Sequence, residues 1–146
     1  MSPGTYLKQR RLAAALTLDD LALRTETEPP VAAMRRAEWL GLIERDELPV
    51  TEDVIDALAD VPDLAFDEHA LIRLLAIHGG AELALPRLCR VCACSWDDPC
   101  VSGDGEACAW VPDDASLCTS CEEGEPAKDT APIAPMLVGQ GSEVAA

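Results

Sequence analysis

Residues 16–22, LTLDDLA, decide how the first half of the chain folds. Thr17 and Asp20 are spaced as a capping box. The Thr hydroxyl accepts from the backbone N–H of Asp20, the carboxylate reaches back, and Leu16 and Leu21 stand at the positions of a hydrophobic staple. A helix therefore starts here and ends near Thr25, before ETEPP.

Working outward, Tyr6–Leu16 (YLKQRRLAAAL) is rich in helix formers and lacks internal Gly or Pro, which predicts a first helix. A third fits Pro30 to about Arg45, with Pro in the first turn and Val31, Met34, Leu42 and Ile43 on one face. Thr51 caps EDVIDALADV, whose Val54, Ile55, Leu58 and Val61 form an apolar stripe stopped by Pro62. Asp67 caps EHALIRLLAIH, with Leu71, Leu74, Leu75 and His78 on one side and Gly79-Gly80 as the exit. His78 is expected to pack or to cap the helix end. The reading is mainly α: a five-helix domain over residues 4–80, whose core is aliphatic because aromatic residues are only 3% of the chain.

Residues 81–87 read as a linker, and the next stretch, Leu88–Cys121, is LCRVCACSWDDPCVSGDGEACAWVPDDASLCTSC. It holds all 7 cysteines of the chain. The outer pairs, Cys89 with Cys92 and Cys118 with Cys121, have the CxxC spacing of metal knuckles. Two such turns can complete a tetrahedral four-thiolate site. Cys94, Cys100 and Cys108 could hold a second ion with a shared ligand, with His78 or with water, or join an iron–sulfur cluster. Zinc, one or two ions, is the expected metal because its structural sites tolerate varied spacing; an iron–sulfur cluster is the runner-up. Residues 88–122 thus form a small metal-stabilised knuckle, built from turns, in which Trp96 and Trp110 each cover sulfur. From residue 123 to 146 the sequence has no periodicity and many Pro, Gly and small residues, which predicts disorder.

The formal charge is −16, unevenly spread. Residues 1–45 hold Lys8, Arg10, Arg11, Arg24, Arg35, Arg36 and Arg45 against six acids, whereas residues 46–146 hold four basic and 21 acidic groups. An anionic partner should meet the first third of the chain, and a protein partner the acidic remainder. There is no long apolar run or signal-peptide core, so a cytoplasmic protein without membrane contact is expected, and a reducing compartment favours metal ligation over disulfides. No phosphate loop, nucleophile elbow or zinc-deaminase pattern occurs, so no enzyme is expected.

GTYLKQRRLAAALTLDDLA, followed by LIERDELPVTEDVIDALA, resembles the Cro/repressor-type (lambda-repressor-like) helix-turn-helix domains over roughly residues 4–78. The shared features are a basic first helix, a capped [ST]-L-x-[DE]-L-A second helix, and Ile43, Glu44, Pro49 and Thr51. Glu26 stands where that family has Gly, and the chain between Thr17 and Glu44 is longer than the family pattern. The resemblance implies double-stranded DNA as partner. By place in the chain, Arg35 and Arg36 would contact DNA, and Lys8, Arg10 and Arg11 the phosphates. The cysteine segment is similar to a module, C-R-V-C-G-C-[ST]…D-x-C…C-x-W-V-x-x-D-L-C-x-x-C, of phage and prophage proteins, with Ala93 at the Gly position. Together these imply a DNA-binding or transcription-associated regulator of phage type. The alternatives are an acidic adaptor for a host protein and an iron–sulfur sensor. Whether the cations of the first and third helices gather on one exposed face or pair with acids separates the DNA reader from the adaptor.

Overall fold

The computed structural model describes residues 1–122; the segment expected to be disordered lies outside the described residues. Among these residues the chain forms α1 (Pro3–Ala13), α2 (Leu18–Arg24), α3 (Ala33–Glu44), α4 (Glu52–Ala59), α5 (Glu68–His78), β1 (Trp110–Val111), β2 (Asp114–Cys118) and α6 (Thr119–Glu122). The fold is mostly helical with one small hairpin.

The capping box at α2 is present as the sequence predicts. Thr17 Oγ1 accepts from Asp20 N at 3.0 Å, and Asp20 Oδ2 accepts from Thr17 N at 2.9 Å. Leu16 and Leu21 are both buried beneath it. Asp67 likewise caps α5, its Oδ1 accepting from Ala70 N at 3.0 Å. Thr51 occupies the N-cap of α4 with extended backbone, but its side chain makes no capping hydrogen bond.

Three boundaries differ from expectation. Helix α1 starts at Pro3, not Tyr6, because Ser2 caps it through Thr5 N and Pro3 suits the first turn. It ends at Ala13, not Leu16, because Ala15 turns left-handed at φ 56° and Leu16 N closes back on Arg11 O at 3.1 Å. Helix α3 starts at Ala33, not Pro30: consecutive prolines disfavour helical backbone before them, and Thr27 Oγ1 accepts from Val31 N to hold a loop instead. In consequence Val31 and Met34 face outward, whereas Leu40, Gly41, Ile43 and Glu44 form the buried face of α3.

Tyr6, Leu7, Leu40, Ile43, Leu58 and Leu71 centre the helical core, which is aliphatic apart from Tyr6 and its partly buried neighbours Trp39 and Phe66. Burial of such side chains contributes about 1.5–3 kcal/mol each. Gly4 lets α1 approach the end of α3, since a Cβ there would stand 2.3 Å from the Ile43 carbonyl oxygen. His78 is exposed, which corrects the expectation that it packs on the apolar face; it remains the basic group in the last turn of α5.

The cysteine segment is more regular than its turn-rich composition suggests. β1 and β2 pair antiparallel, Trp110 opposite Cys118 and Val111 opposite Asp114. An isolated bridge, Val101 to Ala107, closes the preceding loop. The segment is seated on the helices: Ala93 joins the helical core, and Gln9 Nε2 donates to Arg90 O at 3.0 Å.

Candidate metal centre

The sulfurs converge because the backbone turns around them. Ala93 N donates to Cys89 O at 2.8 Å and Cys89 N to Cys94 O at 3.0 Å, which folds residues 89–94 into a tight knuckle. Ala93 adopts φ 58°, a left-handed conformation that glycine takes freely. Backbone N–H groups of Cys92, Cys118 and Val91 point at the Cys89 sulfur. The end of β2 delivers Cys118, α6 presents Cys121, and Cys108 N bonds Cys100 O at 2.8 Å to bring the central loop back.

Two sets of four thiols result, each with its sulfurs within 4.8 Å of one another: Cys89, Cys92, Cys94 and Cys118, and Cys94, Cys100, Cys108 and Cys118. Either could hold a metal ion. Individual separations are 3.3 Å for Cys92 to Cys100, 3.8 Å for Cys92 to Cys118 and 3.7 Å for Cys94 to Cys108. Cys121, expected from its spacing to complete the first site, touches Cys92 and Cys118 but lies outside both sets, and Cys94 takes its place. Sequence spacing missed this because Cys94 is brought in by the Ala93 turn, which no CxxC pattern encodes. His78 belongs to neither set.

Crowded thiols cannot all ionise. Hydrogen bonds from Cys94, and further from Cys100 and Cys121, pull Cys92 down to about 4. The same bond pushes Cys94 up, burial pushes Cys89 and Cys121 up, and burial followed by the bond to Cys92 raises Cys100 to about 12. A divalent cation supplies the positive charge that such a set needs to lose its remaining protons.

The tryptophans divide. Trp110 packs on the sulfur-rich cluster, and the Arg87 guanidinium lies 4.4 Å from its ring centroid. Trp96 is 77% exposed and is not among the residues packed on that cluster, which corrects the expected symmetry.

The cations expected at phosphates are largely internal. Arg10 is 6% exposed: it donates to Ala65 O at 3.0 Å and to Cys92 O at 3.1 Å. Its Nη2 lies 2.9 Å from Asp98 Oδ2, close enough for an ion pair though not aligned as a hydrogen bond. Arg11 is 7% exposed and bidentate on Glu44, at 2.6 and 2.9 Å, with a third bond to Leu16 O at 2.7 Å. Neither can reach a phosphate. Arg24 pairs with Asp63, and Arg45 with Glu47 at 2.7 Å. Lys8 and Arg35 are exposed, and Arg36 is half-buried. Near α3, Glu26, Glu28, Asp53, Asp56 and Asp60 line a cavity of about 560 Å³ together with Trp39. No helix among the described residues is long and apolar enough to cross a membrane.

Comparison with known proteins gives no match: no family model fits the chain, and neither curated proteins nor solved structures are similar to it.

Proposed function

We propose that the chain is an acidic protein-binding adaptor of repressor-like helical architecture, stiffened by a zinc-bound cysteine module, that acts in a transcription-associated setting of phage or prophage type. The observation that carries this reading is the pairing of its cations: Arg10, Arg11, Arg24 and Arg45 are joined to Asp98, Glu44, Asp63 and Glu47 instead of forming a positive face. The acids around the Trp39 cavity repel a phosphate backbone and attract a basic protein surface.

Zinc is favoured over an iron–sulfur cluster by sulfur spacing. Thiolates about 2.3 Å from one tetrahedral ion stand about 3.8 Å apart, as Cys92 and Cys118 do at 3.8 Å. A sulfide-bridged iron core holds cysteines of different irons further apart than the 4.8 Å within which all four sulfurs of each set fall.

Fluorescence anisotropy with labelled random-sequence duplex DNA and a labelled oligolysine peptide, each at low and high salt, tests the reading. Expected are salt-sensitive peptide binding, weakened by combined Asp53→Asn, Asp56→Asn and Asp60→Asn, and no DNA binding. DNA affinity that falls steeply with salt and is lost with Arg35→Ala plus Arg36→Ala would restore DNA as the partner through the remaining candidates Lys8, Arg35 and Arg36.

A further inference from the structure

The geometry points to a single fused two-metal centre in which Cys94 and Cys118 bridge both ions, with Cys89 and Cys92 terminal on one and Cys100 and Cys108 terminal on the other. The two four-thiol sets are not separate sites, because they share those two sulfurs. Two tetrahedra that share an edge need six ligands. The six cysteines of the two sets supply them, and Cys121 is left over. Cys92 lies 3.3 Å from Cys100 across the two sets, so the sulfurs form one continuous cluster and not two isolated sites. Cys94 is 0% and Cys118 1% exposed, so the two shared sulfurs lie in the interior of the cluster.

Thiol protons leave to solvent as the ions enter. Two divalent ions on six thiolates retain two negative charges.

This inference rests on the metal-binding part of the proposed function and not on the adaptor role. The test is native mass spectrometry of the reduced full chain loaded with cadmium-113, followed by cadmium-113 NMR. Expected are two ions per chain and two thiolate-shifted resonances split by coupling to each other through the shared sulfurs. Cys121→Ser should keep both ions, and Cys108→Ser should keep one. One ion in the wild type, two resonances without mutual coupling, or loss of an ion in Cys121→Ser overturns the fused centre while leaving a metal-bound module intact. A chain that takes up no ion overturns both. The coupling is read on the wild-type protein, so the result does not depend on whether a variant folds.

Discussion

Arg11 and Glu44 hold the end of α1 to the end of α3 through two charge-assisted bonds, both side chains nearly free of solvent. Removing one partner strands the other charge. Arg11→Ala should therefore cost about 3–5 kcal/mol in urea unfolding, and the double replacement Arg11→Met with Glu44→Leu should recover most of the loss. Gly4→Ala tests the neighbouring contact: its Cβ would meet the Ile43 carbonyl, so overpacking of about 1–3 kcal/mol is expected as a lowered Tm. At this scale the sequence is legible where partners are local. Asp20 and Ala70 lie three residues from the side chains that cap them, and both caps could be read from the sequence. The destinations of Arg10 and Arg11 could not, because Cys92 and Glu44 lie 82 and 33 positions away. A basic pair looks the same in sequence whether solvent or an acid awaits it.

Among elements, α2 depends most on its first turn, since it is seven residues long and too short to persist on its own. Thr17→Ala should cost about 1 kcal/mol, seen as a lower urea midpoint. The same box sets an acid dependence. The Thr17 backbone N–H, followed by its hydroxyl, holds Asp20 below its ordinary value. A depressed carboxylate stabilises the fold above its unfolded pKa and loses that effect as pH falls through the folded one. Circular dichroism below about pH 4 should therefore show a shallower acid loss in Asp20→Asn, which has no carboxylate to protonate, than in the wild type. The existence of α1 to α5 was readable from periodicity and caps, that of α6 was not; the starts of α1 and α3 were not either, because Ser2-Pro3 and Pro29-Pro30 act through backbone geometry rather than an apolar pattern. The hairpin was hidden for a related reason. Its strands are short, and what fixes their register is Cys118 at the sulfur cluster rather than an alternating apolar face.

For the whole molecule, the helices and the cysteine module share a polar joint: Tyr6 Oη accepts from Asp67 N at 2.7 Å, Ser95 Oγ donates to Asp67 Oδ2 at 2.6 Å, and Arg10 reaches Cys92 and Asp98. Stripping metal with a chelator should therefore lower the Tm of the helical signal as well as change Trp110 fluorescence. A Tm unchanged by chelation would show that the joint carries no coupling. The order of synthesis gives that joint a further meaning. Arg10 is synthesised long before Cys92 and Asp98, so two of its three partners exist only after the cysteine segment has been made. The buried guanidinium of the first helix therefore gains its full set of partners only when the cysteine segment packs on the helices.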